Sequence, residues 1–277
     1  MYKKIMVSAI ALTGLLVVAM ALPACSSGTS SGEGGLSGTI TEAGSTTVQP
    51  VAEKLAAAFK AKNPNVQVVI QGGGSSVGVK SAAEGTVDIG AASRELKVNE
   101  QGMVIPHLLA RDGIAIIVAP GNAVNGLTRE QVKKIFMGEI KNWSEVGGTN
   151  AEIHVVAREE GSGTRAAFEE MVMGEELVTK TAILQPSNGA IRTTVTGDPN
   201  AIGFLSFGYI DQSVKALAID DIEGTAVNAK AGTYPIVRPL YFLTKSEPTG
   251  VVKVFLDFCT GPEGQKIVEE EGYLSIK

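Results

Sequence analysis

The chain has 277 residues, with 24 Lys and Arg against 29 Asp and Glu, two His and two Cys. A formal net charge of −5 repels polyanions, which excludes a general nucleic-acid or anionic-membrane binder. Two histidines, no CxxC and no HExxH leave no metal-ligand cluster, so no cofactor is expected.

The chain opens on an export signal, residues 1–24. Lys3 and Lys4 precede an apolar run from Ile5 to Ala21, and Leu22-Pro23-Ala24-Cys25 forms a small-residue exit. Cys25 resembles the acylated cysteine of a bacterial-type lipobox. The folded part is then expected outside the cytoplasm, periplasmic or held to the cell membrane as a lipoprotein. The apolar run is also nearly long enough for an uncleaved membrane anchor. Loss of Lys3 and Lys4 with the signal takes the net charge to −7 over the remaining 253 residues. Residues 25–38 (CSSGTSSGEGGLSG) carry too little apolar content to pack and read as a flexible tether.

From there, strand-like and helix-like segments alternate. Thr39 to Ala43 reads as a strand running into Gly44-Ser45-Thr46-Thr47, and Val48, Val51, Ala52, Leu55 and Phe59 then form one helical stripe. Asn65 to Ile70 is the next strand and leads into Gly72-Gly73-Gly74-Ser75-Ser76 and a short helix. Thr86 to Gly90 reads as a strand, His107 follows Pro106 in a loop-like stretch, and Gly113 to Ala119 is a further strand. Thr128-Arg129-Glu130-Gln131 has the capping-box pattern, and Gly138 stops that helix. Trp143 is expected in the core. Glu152 to Ala157 is a strand in which His154 alternates with Ile153 and Val155, giving it a structural place. It runs into Arg158-Glu159-Glu160-Gly161-Ser162-Gly163-Thr164-Arg165 and a helix through Val172. Cys259, in the amphipathic run VKVFLDFC, reads as a small buried hydrophobe, and Glu269 to Glu271 as a solvated helix end. The alternation predicts an α/β protein with mostly parallel sheets.

Three strand-to-helix junctions share a chemistry: glycine, hydroxyls and the unpaired N–H groups of a helix start. Such ends carry partial positive charge and bind oxyanions without a metal. In a parallel sheet they gather at the carboxyl ends of the strands. Serine and threonine there are also ordinary N-caps, so any one junction is weak evidence. Three together, one flanked by Arg158, favour an oxyanion site. A serine hydrolase is the competing reading, because Gly74-Ser75-Ser76-Val77-Gly78 matches G-x-S-x-G with Ser76 as nucleophile. No acid and histidine in clear order follow it. A P-loop fails, since Val79 stands where the lysine is needed and Lys80 comes one residue late.

Taken in order, GSTTVQP (44–50), GGGSSVGVK (72–80), DIGAASRE (88–95), IFMGEIKNWSEVGG (135–148), REEGSGTR (158–165), DPNAIGFLSFGY (198–209) and YPIVRPLYFLTK (234–245) resemble the substrate-binding proteins of phosphate-specific ABC transporters. The likeness covers nearly the whole exported chain. It implies a type II periplasmic-binding-protein-like fold of two α/β lobes, residues 39–117 with 236–277 and residues 118–235, that closes on an anion. It implies phosphate ligands at Thr46, Thr47, Ser75, Ser93, Arg94, Arg158, Ser162, Gly163 and Thr164. Ser45, Ser76 and Glu160 would support them, with Glu160 orienting Arg158. One branch of the family has an aspartate where Ser93 stands, to accept the proton that phosphate carries. The Ser93-Arg94 pair resembles another branch, which leaves selectivity against sulfate less secure. The implied role is not enzymatic: a monomer that captures inorganic phosphate and passes it to ABC permease subunits. A binder of sulfate, molybdate or tungstate would use the same junctions.

Overall fold

A strand that feeds a glycine–hydroxyl turn and then a helix recurs through residues 35–277, the part that the computed structural model describes. The expected export signal, Cys25 and the first part of the expected tether lie outside the described residues. In chain order the elements begin β1 (Gly38–Gly44), α1 (Gln49–Lys62), β2 (Val66–Gly72), α2 (Ser75–Glu84), β3 (Ile89–Ala92) and β4 (Ile105–Val118). There follow β5 (Gly126–Leu127), α3 (Arg129–Met137), β6 (His154–Arg158), α4 (Gly163–Phe168), β7 (Ile183–Gln185), α5 (Asn188–Gly197) and β8 (Ala201–Ser206). The chain ends with β9 (Lys215–Ala216), β10 (Ala218–Ile219), α6 (Ala226–Lys230), β11 (Val237–Thr244), α7 (Gly250–Thr260) and α8 (Pro262–Glu270).

The strands run β2-β1-β3-β11-β4-β8-β6-β7 across one continuous path. Pairing is parallel for β1 with β2 and β3, and for β6 with β7 and β8. It turns antiparallel where β11 and β4 run through the middle. β4 is the shared element: Ile105 to Gly113 pair with β11, and Ile114 to Val118 pair with β8. A strand that changes partner midway divides the sheet into two lobes without breaking the chain.

Each lobe has its own core. Ile40, Val51, Leu55 and Phe59 pack with Leu240, Phe242, Phe255 and Cys259, so α1 and α7 cover one face of the first half-sheet. Cys259 is fully buried and free. Helix α2 covers the other face, where Val79 and Ala82 meet Ala92 and Leu243. It lies directly on the sheet because Gly78 has no side chain. A Cβ there would come within 2.2 Å of the Ala91 carbonyl oxygen. In the second lobe Phe204 stacks on Phe168 at 4.2 Å, with Phe136 4.7 Å from Phe168. The neighbouring Gly203 faces Ile191 and Val195 of α5 on the opposite side, as strand alternation requires. Trp143 is buried in the same core and donates its indole N–H to the Asn200 carbonyl.

Two local expectations change. The strand expected from Thr86 begins only at Ile89, because Asp88 turns its carboxylate onto the amide and hydroxyl of Thr41 at 2.8 Å each. His107 lies within β4, paired with Phe242, and its Nε2 is 2.8 Å from Thr244 Oγ1. Pro106 and the charges at Arg111 and Asp112 hide this long strand from an apolar-run reading. His154 sits in β6 and bonds Asp198 through Nδ1. Among the described residues no helix is long and apolar enough to cross a membrane.

Candidate functional site

The carboxyl ends of β1, β2 and β6 bring the three expected junctions together between the lobes. At the first, Ser45 accepts from the Thr47 amide at 3.2 Å, so that N–H is engaged within its own turn. The hydroxyl of Thr47 points across to the other lobe, 3.0 Å from the hydroxyl of Thr164. Two tyrosines hold this turn: Tyr209 donates to the Thr46 carbonyl and Tyr273 to the Thr47 carbonyl. Thr46 and Thr47 are both buried.

At the second junction, Ser75 Oγ accepts from the Ser93 amide at 3.0 Å and lies 3.3 Å from Ser93 Oγ. Both serines are buried. Arg94 takes a different direction from its neighbour. Its guanidinium makes two bonds to Glu100, at 2.7 and 2.8 Å, and one long bond to Ser76 Oγ. Those bonds hold the Glu100 carboxyl below the usual range, against the burial that would raise it. Arg94 is therefore neutralised by Glu100, and Ser76 is the hydroxyl it touches.

The third junction carries the buried cation. Arg158, at the end of β6, donates from Nε to the Gln185 carbonyl and from Nη2 to the Pro186 carbonyl, at 3.1 and 2.9 Å. Nη1 has no acceptor among the described residues. Burial first, and the charge of Arg238 second, bring this guanidinium down to about 10. Glu160 does not orient it: that side chain is exposed and unbonded to Arg158 among the described residues, and the carbonyls of Gln185 and Pro186 do the orienting. Backbone carbonyls are a silent signal in sequence, and the orienting role of Glu160 was implied by the family resemblance alone. Ser162 caps α4, accepting from the Arg165 amide, and Arg165 reaches Glu169 at 2.7 Å one turn on. Gly163 sits against the opposite lobe, where a Cβ would fall 2.1 Å from Ser75 Oγ and 2.6 Å from Ser93 Oγ. The Ser76 amide donates to the Gly161 carbonyl across the same contact, at 3.1 Å.

Three further residues complete the cluster and were missed in the sequence. Asn188, at the start of α5, donates to Thr46 Oγ1 and Thr47 Oγ1 at 3.3 and 3.0 Å. Arg238 on β11 and Asp112 on β4 are directly opposed across the strands and form a buried ion pair. Burial pushes the Asp112 carboxyl up and the Arg238 guanidinium down, and each partner's charge opposes the shift. A signal existed. Arg238 shares its strand face with Ile236, Leu240 and Phe242, all buried, and a charge in that register needs a buried partner. Among the described residues no group of His, Cys, Asp and Glu is placed to hold a metal ion. What the cluster offers is a dry set of hydroxyl, amide and guanidinium groups drawn from both lobes.

Comparison with known proteins gives the same picture over most of the chain. Residues 29–263 match the model of the PBP superfamily domain. The phosphate-binding protein PstS of Bacillus subtilis (strain 168) is 36% identical over 251 residues, covering 88% of this chain and 83% of the relative. That of Borreliella burgdorferi is 31% identical, covering 84% and 88%. Among solved structures, a Clostridium perfringens protein described as a phosphate ABC transporter substrate-binding protein, with bound phosphate, is 43% identical. It superposes with a TM-score of 0.85 over 87% of this chain and all of that one. A Vibrio cholerae ABC-type phosphate transport receptor follows at 37% identity and a TM-score of 0.71, covering 86% of this chain and all of its own. With the motifs in order, the two-lobed fold and these likenesses, the chain belongs to the PBP superfamily and, within it, to the binding proteins of phosphate-specific ABC transporters.

Proposed function

We propose that this chain captures inorganic phosphate between its lobes, outside the cytoplasm, and delivers it to the permease of an ABC transporter. The observation that carries the reading is Arg158: a buried guanidinium with two nitrogens tied to carbonyls and Nη1 left for an external acceptor. The hydroxyls of Ser75, Ser93, Thr47 and Thr164 gather from both lobes at the same contact. The relatives' description as phosphate-binding proteins supports phosphate as the anion.

In this reading Arg158 supplies the charged contact, and Ser75, Ser93, Ser162, Gly163 and Thr164 line the rest. Thr47 contributes its hydroxyl, while its amide serves Ser45. Ser45 and Thr46 shape the first turn, and Ser76 and Arg94 stand one step out beside Glu100. The lobes are taken as residues 39–117 with 236–277 and residues 118–235, closing about the strands that pass between them. Charge-assisted hydrogen bonds contribute ~1.5–3 kcal/mol each, so half a dozen nominally exceed the ~8 kcal/mol of a micromolar site. Desolvation of the dianion and ordering on closure absorb the surplus.

Binding rather than hydrolysis fits Ser76, whose hydroxyl touches Arg94, while the two histidines are bonded to Thr244 and Asp198. The lipid anchor at Cys25 and a monomeric state belong to the same proposal. The test is calorimetry on Arg158→Ala. Phosphate affinity is expected to fall by at least ~2 kcal/mol, about thirtyfold. Unchanged affinity removes Arg158 from the site, and sulfate displacing phosphate from the unsubstituted protein at equal concentration overturns phosphate as the preferred anion.

A further inference from the structure

We propose that Arg238 is a positioning residue of the anion site. Held by Asp112 where the two lobes join, it donates into Thr47 and Ser93 and so turns their hydroxyl protons outward, toward the ligand. The inference rests on the phosphate reading above and deepens it, by saying what sets the polarity of the hydroxyls that would meet the anion.

The argument follows the hydrogen bonds from the strands toward the site. Arg238 and Asp112 are cross-strand partners on β11 and β4. Asp112 Oδ2 accepts from Arg238 Nε and Nη2 at 3.1 and 2.9 Å. Oδ1 accepts from Ser206 Oγ and the Phe207 amide. The carboxylate is thereby fully engaged and fixed, and a planar guanidinium bound at two points has no rotational freedom left. Its remaining N–H groups aim at the site: Nη1 at the Ser93 carbonyl and hydroxyl (3.0 and 3.3 Å), and Nη2 at Thr47 Oγ1 (3.0 Å).

Asn188 completes the control of Thr47. Its Oδ1 accepts from the Ser206 amide, which fixes the amide orientation, and its Nδ2 donates to Thr47 Oγ1 at 3.0 Å. A hydroxyl has two lone pairs and one proton. With both lone pairs of Thr47 receiving N–H bonds, its proton must leave outward, and Thr164 Oγ1 lies 3.0 Å away. Thr164 then has its own proton to give onward. On the other side Ser93 Oγ receives from Arg238 and Ser75 Oγ from the Ser93 amide, and the two hydroxyls lie 3.3 Å apart, so one of their protons bridges the pair and the other is left for the ligand. Arg238 thus acts through neighbouring hydroxyls. An oxyanion presents acceptors only, so hydroxyls already turned as donors need no reorientation when it arrives.

The test is a double-mutant cycle in phosphate calorimetry: unsubstituted protein, Arg238→Lys, Thr47→Val and the pair, each shown to melt cooperatively. Lysine keeps the charge and loses the fixed fork. Arg238→Lys is expected to weaken phosphate binding ~10-fold or more, and the pair to be no weaker than its worse single variant. Unchanged affinity in a cooperatively melting Arg238→Lys overturns the inference, as do losses that simply add. Unsubstituted protein that does not bind phosphate overturns the functional reading itself, a distinct failure. A second measurement needs no substitution. In the unsubstituted protein without phosphate, arginine-selective 15N labelling should resolve the two Nη signals of Arg238 separately. One averaged signal means a rotating guanidinium and overturns the fixed fork.

Discussion

Glu42 shows what a single residue can cost inside a sheet. It alternates with Ile40 on the face of β1 that packs under α1, and among the described residues both of its carboxylate oxygens are buried without a hydrogen-bond partner. Burial first, and the nearby charge of Glu53 second, push its carboxyl from 4.5 up to about 8. The raised value means that the folded state holds a proton which the unfolded chain releases between pH 4.5 and 8. Stability is therefore highest below pH 4.5 with respect to this group and falls as pH rises through that window, by up to about 1.4 kcal/mol per pH unit. Replacement by glutamine removes the charge. Denaturant unfolding should show Glu42→Gln gaining on the unsubstituted protein steadily from pH 5 to 8, and parallel pH profiles would remove this account. At the same scale, Arg158 and the hydroxyls at the three junctions were legible because glycine, hydroxyl and arginine stand together in short runs. Arg238 and Asn188 stand 191 and 141 residues from Thr47 along the chain, and Asp112 stands 126 residues from Arg238; their meeting is a matter of tertiary pairing, which no local pattern carries.

Elements follow local chemistry more closely. Helix α3 begins with the reciprocal cap expected for it: Thr128 Oγ1 accepts from the Gln131 amide at 3.1 Å, and Gln131 Oε1 accepts from the Thr128 amide at 2.8 Å. Gly138 ends the helix in the left-handed conformation. Thr128→Ala should cost about 1 kcal/mol in denaturant unfolding, the ordinary value of an N-cap, and leave phosphate binding unchanged, since among the described residues the Thr128 side chain bonds only within its own helix cap. A loss well under ~0.3 kcal/mol would show that tertiary packing alone holds the helix end. Strand β4 is the contrary case. Its first half carries proline, histidine, arginine and aspartate, and only pairing with β11 extends it to Ile105.

At the scale of the molecule, the lobes meet with almost no room at Gly163. A methyl group there would fall 2.1 Å from Ser75 Oγ, a contact across the two lobes. Gly163→Ala is expected to bar this closed arrangement, so phosphate binding should be lost while the unliganded melting temperature stays unchanged. Solution scattering should show the unsubstituted protein shrinking with phosphate and the variant not; an unchanged profile of the unsubstituted protein would refute the trap, and equal shrinkage of the variant would remove Gly163 as the closing contact. The alternating α/β architecture, the α3 cap and stop, the three glycine–hydroxyl junctions and the buried place of Cys259 are legible in the chain alone, because each depends on composition and spacing within a few residues. Tertiary structure alone decided that Arg94 belongs to Glu100, that carbonyls rather than Glu160 orient Arg158, and that Arg238 reaches Thr47 and Ser93. Those choices depend on which strands lie opposite one another, and the competition among several charged partners is settled only when distance and burial are set together.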